Sequence, residues 1–158
     1  MSELASLYQE IIIDHCKRPR NFGPPGEGAR SAQGYNPLCG DKVAIHVELD
    51  GETLRRVRFE GAGCAISTAS ASLLTEALTG RTVAEADELF GAVHRMLTGD
   101  PSRTAPVDTA AEEERLGKLA ALAGVREYPM RVKCATLAWH TLRAALGKEG
   151  GAAPVSTE

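Results

Sequence analysis

The spacing of apolar residues divides the chain into segments of different period. Over residues 3–17, Leu4, Leu7, Tyr8, Ile11 and Ile12 recur at helical intervals, and Pro19 stops the run after Asp14-His15-Cys16-Lys17-Arg18. Residues 19–38 carry no such period. Pro24-Pro25-Gly26 and Asn36-Pro37 mark loop there, with room for a short edge strand near 28–34. The period then becomes two. Val43, Ile45, Val47 and Leu49 alternate with Lys42, Ala44, His46 and Glu48, which predicts a strand over 42–49 with one face in the core. After the turn signal Asp50-Gly51, a second strand over 54–60 sets Val57 and Phe59 against Arg56, Arg58 and Glu60. A strict two-residue turn would pair Ile45 with Arg56 and mix the faces. A three-residue loop, Asp50-Gly51-Glu52, pairs Ile45 with Val57 and Val43 with Phe59, so that register is expected.

Helical spacing returns for the rest of the chain. A first helix runs from near Cys64 to Gly80, rich in small residues between Ala65 and Ser72 that permit close packing. Thr82 and Glu85 form a capping box that opens a second helix, with Leu89, Phe90, Val93, Met96 and Leu97. After the turn-rich stretch Gly99–Pro106, a third helix is expected over 109–123, carrying Leu116, Leu119 and Leu122 and stopped by Gly124. Pro129 precedes a last helix to Leu146, whose inward stripe includes Cys134, Leu137, Ala138, Thr141, Leu142 and Ala145. The resulting fold class is α+β: a small antiparallel sheet of about three strands packed against four to five helices. One domain is expected over residues 1–147, with a disordered Gly-, Ala- and polar-rich tail over 148–158.

Composition narrows the function classes. A chain of 158 residues is about one domain and can bury a core without disulfides. With 43% hydrophobic residues, 25% charged residues and a net charge of −3, nothing points to nucleic acid or an anionic membrane. No apolar run near the N-terminus suits a signal peptide or a membrane span, so the cytoplasm is the expected compartment. Four cysteines in a reducing compartment read as metal-binding or reactive rather than disulfide-forming. There is no P-loop, dinucleotide fingerprint or Ser-His-Asp ordering.

The candidate chemistry lies in Cys39, Asp41, Cys64 and Cys134. In an extended segment Cys39 and Asp41 point the same way. Antiparallel pairing places the start of the first strand beside the end of the second, so the hairpin alone brings Cys39, Asp41 and Cys64 to one end of the sheet. Thiolates with a carboxylate suit Zn²⁺, and sulfur also suits iron. Cys64 and Cys134 fall near expected helix N-termini, where unpaired N–H groups favour a thiolate, and Arg131 and Lys133 add positive charge beside Cys134. A buried cysteine can also be simply a small hydrophobe; the convergence argues against that for the site, whereas Cys16, with no partner at a metal-like spacing, reads as packing. His15, His46, His94 and His140 read as solvated or internally satisfied side chains. Lys42, Arg56 and Arg58 form a basic stripe on the outer sheet face, an ordinary solvated face that could dock a partner.

Three blocks carry a family resemblance: Asn36-Pro37-Leu38-Cys39-Gly40-Asp41, Gly61-Ala62-Gly63-Cys64-Ala65-Ile66-Ser67, and Arg131-Val132-Lys133-Cys134-Ala135-Thr136-Leu137-Ala138-Trp139. Together with Asp14–Asn21 they resemble the U-type iron–sulfur cluster assembly family (IscU and NifU N-terminal proteins), over about residues 4–146. IscU-type scaffolds carry His before the last cysteine and a Leu-Pro-Pro-Val-Lys chaperone motif. This chain has Lys133 and Tyr128-Pro129-Met130-Arg131-Val132-Lys133, with a longer stretch between Cys64 and Cys134, and so resembles the SufU-type branch. These departures argue against an Hsp70-type chaperone partner.

The resemblance implies a SufE/NifU-like fold, Zn²⁺ held by Cys39, Asp41, Cys64 and Cys134, and sulfurtransferase-like transfer of persulfide sulfur from a SufS-type cysteine desulfurase. Downstream acceptors would be a SufBCD-type scaffold or apo-proteins. Within that reading Cys39, on a Gly/Pro-rich loop, is the expected sulfur acceptor: a partner side chain takes its place on zinc, and Arg131 assists docking or stabilises the developing thiolate. Two alternatives stand beside it. One is a scaffold that assembles and transfers a transient 2Fe-2S cluster on Cys39, Cys64 and Cys134; the other is a structural zinc protein that acts through its surface.

Overall fold

The computed structural model describes residues 3–37, 40–98, 116–146 and 155–156. Helix α1 (Glu3–Lys17) leads through a loop to β1 (Arg30–Asn36), β2 (Asp41–Asp50) and β3 (Thr53–Ala62). Helices α2 (Ala65–Leu78) and α3 (Val83–Thr98) follow, then a 3-10 helix (Gly117–Glu127), α4 (Pro129–Leu146) and the two-residue strand β4 (Val155–Ser156). Strand order across the sheet is β3-β2-β1-β4, antiparallel except for the pairing of β4 with β1. The α+β architecture read from periodicity is the observed one. The tail expected to be disordered departs from that at Val155 and Ser156, which pair with Gly34 and Tyr35.

The hairpin register differs from expectation. Ile45 pairs with Phe59 and Val47 with Val57, one residue pair away from the anticipated match. Asp50 pairs with Thr53 across a two-residue turn, and a bulge at Glu48/Leu49 restores the phase. The extra residue falls in β3, where Arg55 and Arg56 are both exposed between buried Leu54 and Val57. A bulge adds one residue to one strand and so changes the parity of the pairing. The shorter turn thereby reaches a register in which Ile45, Val47, Val57 and Phe59 all still face the core.

Helices α2 and α4 cover that apolar face, with α1 against α2 and the 3-10 helix, and α3 against α4 and the 3-10 helix. Small residues make the α2–α4 contact close: Ala69, Ser70, Ala71, Ala135 and Ala138 are fully buried, and Ser70 Oγ donates to the Ala135 carbonyl at 2.6 Å. The helix expected over 109–123 differs in type and extent. Residues 109–115 lie outside the described residues, and the visible part is a 3-10 helix that runs through Gly124 to Glu127. The reason is in the spacing. Leu116, Leu119, Leu122 and Val125 are all buried and recur every third residue, the 3-10 period rather than the α period. The Thr82–Glu85 capping box forms as read, with Glu85 N donating to Thr82 Oγ1 and Thr82 N to Glu85 Oε1, each at 3.2 Å.

The outer sheet face is more covered than an alternating pattern implies. Residues 21–26 hydrogen-bond along the edge of β3 at Phe59 and reach the outer face, where Pro24 O accepts from Arg58 Nη1 and a side chain at Gly26 would strike the Glu48 carboxylate. His46, placed outward, is 7% exposed, between Ser31 Oγ at 2.7 Å and Glu60 Oε1 at 2.8 Å. Glu48 takes Arg55 at 3.1 Å and Arg56 at 3.6 Å. Two residues of the basic stripe, Arg56 and Arg58, are thus engaged within the chain. Among the described residues no helix is long and apolar enough to cross a membrane.

Candidate metal centre

Asp41 is the first residue of β2 and is fully buried. Its Oδ1 accepts the Cys64 backbone N–H at 2.7 Å, and its Oδ2 lies 3.6 Å from Cys64 Sγ. The register of the hairpin makes this contact: with Lys42 opposite Ala62, the chain leaving β3 passes directly beside Asp41. Two glycines allow the approach. A Cβ on Gly63 would stand 2.7 Å from Asp41 Oδ1, and one on Gly61 would overlap the Lys42 carbonyl.

Cys64 is the N-cap of α2. Its backbone is extended (φ −69°, ψ 169°), and its Sγ accepts from Ser67 N at 3.4 Å. The sulfur therefore occupies the place a serine or aspartate oxygen takes in an ordinary cap, where free N–H groups favour negative charge.

Cys134 departs from expectation. It lies in the second turn of α4, with Sγ 3.7 Å from the Met130 carbonyl, so a helix-terminus argument applies to Cys64 and not to Cys134. It is fully buried. Its surroundings come from other groups: Asn36 Nδ2 at 3.8 Å, and Arg131 one helical turn earlier. Arg131, exposed, reaches both sulfurs. The negative charge of Cys64, then the hydrogen bond to Cys64 and the charge of Cys134, raise the pKa of its guanidinium.

Asp41, Cys64 and Cys134 each turn one donor atom toward a common point, all within 4.8 Å of one another. A tetrahedral zinc with Zn–S bonds of about 2.3 Å separates its sulfurs by about 3.8 Å, so this set closes on such an ion by movements of about 1 Å or less. Two thiolates and a carboxylate suit a borderline-soft divalent cation and leave one position for a fourth donor. Cys39, the expected fourth, lies outside the described residues. Its flanks are in place: the Gly40 N–H donates to the Asn36 carbonyl at 2.8 Å, and Gly40 takes a left-handed φ of 72°.

The remaining candidates are elsewhere. Cys16 is half-buried on α1, and His15, beside it, is 1% exposed with Nδ1 2.7 Å from Ser72 Oγ. His94 and His140 group with Phe90 between α3 and α4. Sequence reasoning missed Asn36 as a neighbour of Cys134; the signal available was an uncharged amide two residues before the Leu38-Cys39 pair.

The match to known proteins covers this same framework. Residues 7–135 fit the family model of the NifU-like N-terminal domain. The iron–sulfur cluster assembly scaffold protein IscU of Streptococcus pyogenes is 37% identical over 152 residues, covering 96% of this chain and 90% of that one. The zinc-dependent sulfurtransferase SufU of Bacillus subtilis is 37% identical over 150 residues, covering 95% and 96%. A crystal structure from Fervidobacterium islandicum, described as a cluster assembly scaffold protein for the SUF system, superposes with a TM-score of 0.78 at 36% identity, covering 93% of this chain and 100% of that one. With most of its length matched by sequence and by fold, the chain belongs to the NifU-like N-terminal domain family of iron–sulfur cluster assembly proteins.

Proposed function

We propose that this protein is a zinc-dependent sulfur carrier in iron–sulfur cluster assembly, accepting persulfide sulfur from a SufS-type cysteine desulfurase. The observation that carries the reading is the convergence of Asp41, Cys64 and Cys134 within 4.8 Å, with Arg131 against both sulfurs. Zinc, when bound, supplies a charge that keeps cysteine thiolates deprotonated at neutral pH. Asp41, Cys64, Cys134 and Cys39 are its ligands in this reading.

The chain's own residues divide the remaining work. Cys64 is held by a cap bond and by Asp41 through its backbone, and Cys134 is buried in a helix. Cys39, between Asn36 and Gly40 in sequence, is in this reading the donor that leaves the set. Its thiolate attacks the outer sulfur of the desulfurase persulfide; the S–S bond breaks, the desulfurase cysteine departs as a thiolate, and Cys39 holds the persulfide. Arg131 faces the sulfurs from the exposed side and balances negative charge as the thiolate is released.

The scaffold reading draws support from the similarity to the Streptococcus pyogenes cluster assembly scaffold protein. Lysine at position 133, where the cluster-scaffold resemblance calls for histidine, favours the carrier. The test is persulfide trapping after incubation with a cysteine desulfurase and cysteine, alongside metal analysis. Zinc in the purified protein and sulfur on Cys39 are expected. Sulfur still accepted by Cys39→Ala but not by Cys134→Ala would reverse the assignment of the acceptor. Iron and sulfide with a charge-transfer spectrum would establish the scaffold, and zinc with no effect on the desulfurase would leave a structural metal.

A further inference from the structure

Two buried polar residues face each other where β1 and β2 meet the centre. Asn36 ends β1 and Asp41 begins β2; they are direct cross-strand partners, and both have no exposed surface. Asp41 serves Cys64. Asn36 turns to the other sulfur, its Nδ2 3.8 Å from Cys134 Sγ. Its backbone does something separate: the Asn36 carbonyl accepts the Gly40 N–H at 2.8 Å.

We propose that Asn36 is a positioning residue of the metal centre, its side-chain amide fixing the Cys134 sulfur. A buried amide is costly unless hydrogen-bonded, and one of the partners Asn36 takes is this sulfur. The chemistry suits the place. Cys64 takes N–H groups from the start of its own helix, but Cys134, in the second turn, is beyond the free amides of α4. A donor from another element supplies them instead, and Asn36 does so from the buried side while Arg131 approaches from the exposed side. Asparagine donates without adding charge. An aspartate there would set a second carboxylate across from Asp41 and beside two thiolates.

The inference rests on the metal-centre reading, and the experiment separates the two. Zinc affinity is measured by chelator competition for wild type, Asn36→Ala and Asn36→Asp, and the thiolate-to-metal absorption band is recorded after cobalt(II) substitution. Loss of a group that orients a ligand typically weakens metal binding by about 10- to 100-fold. Both variants are expected to show that loss, with a shifted cobalt band, because the sulfur has lost its donor on the buried side. Asn36→Asp is nearly isosteric and keeps the end of β1 filled, so it decides the matter if Asn36→Ala does not fold. Variants that bind within twofold of wild type with an unshifted band overturn this proposal alone. A wild type that takes up neither zinc nor cobalt overturns the metal-centre reading and this proposal with it.

Discussion

Replacing Gly63 by alanine tests how tightly the centre is built. The new Cβ would lie 2.7 Å from Asp41 Oδ1, 3.1 Å from its Cγ and 3.2 Å from its Cβ, whereas ordinary contact begins at 3.4 Å. The carboxylate therefore has to retreat by about 0.7 Å, the difference between 3.4 and 2.7 Å. It has nowhere easy to go, because Asp41 is fully buried at the first position of β2 and paired to Asn36. A retreat of that size breaks the 2.7 Å bond from Cys64 N to Oδ1. A hydrogen bond to a charged group contributes about 1.5–3 kcal/mol, and that is the expected loss of folding stability. The same movement takes Asp41 away from Cys64 and Cys134, so zinc affinity should fall by at least the 10- to 100-fold typical of a misplaced ligand support.

The assay pairs urea denaturation with zinc competition. Gly51→Ala is the control: Gly51 requires a left-handed backbone (φ 63°), unlike Gly63, and has open space around it, at the far end of the hairpin. It should cost about 1–2 kcal/mol of stability from backbone strain and leave zinc affinity unchanged. If Gly63→Ala binds zinc within twofold of wild type, the Asp41 carboxylate is not held where the structure puts it, and the argument from close approach fails.

Two further outcomes follow from buried groups away from the centre. Burial, with Arg20 nearby, pushes the pKa of His15 below its usual value of 6.5, and burial with His94 and Arg143 does the same for His140. The unfolded chain then binds more protons than the folded one below about pH 6.5, so stability is unaffected above that pH and declines as pH falls through it toward the lower folded values. Urea midpoints of zinc-free protein at pH 7.5 and 5.5 should show the decline, and His15→Gln should reduce it; an unchanged decline removes His15 as a contributor. Gly34→Ala would drive a methyl into Thr141 Oγ1 and against Leu137 of α4. It should cost about 1–3 kcal/mol, the range for overpacked cores, and Thr141→Ala in the same chain should recover part of it; additive losses would refute the contact.

Much of this arrangement could be read from residue order, and the parts that could not have physical causes. The alternation at Val43, Ile45 and Val47 against Val57 and Phe59 set which side chains face inward, because parity survives any shift of two residues. It could not set the shift itself, which depends on a bulge at Arg55 and a two-residue turn. The 3-10 helix was legible in principle, since Leu116, Leu119, Leu122 and Val125 repeat at three; the final member, beyond the apparent stop at Gly124, was the one left out. The burial of Glu48 was not legible, because Gly26 of a loop distant in sequence comes against it, and that of His46 was not, because Ser31 and Glu60 of the neighbouring strands close around it. For the centre, the convergence of Asp41 and Cys64 followed from hairpin geometry. The depth of Cys134 within α4 depended on where that helix begins, and no periodicity marks that point to within a turn.

The register shift also bears on how the centre is divided. In the anticipated register Asp41 would have faced Gly61, leaving Cys64 further along. In the observed one Lys42 faces Ala62, and Asp41 captures the Cys64 amide as the chain turns into α2. One carboxylate thus uses one oxygen to fix the entry to a helix and keeps the other near the sulfur of the same residue. Opposite it, Asn36 holds Cys134 from β1, and Ser70 ties α2 to α4 beside that cysteine. Three donors are therefore anchored by two strands and two helices that brace one another. The fourth candidate, Cys39, lies outside the described residues, between Asn36 and Gly40 in sequence, and the Gly40 N–H donates to the Asn36 carbonyl. If one ligand must leave for sulfur to be accepted, moving Asp41, Cys64 or Cys134 would break the bonds and packing that brace these three against one another.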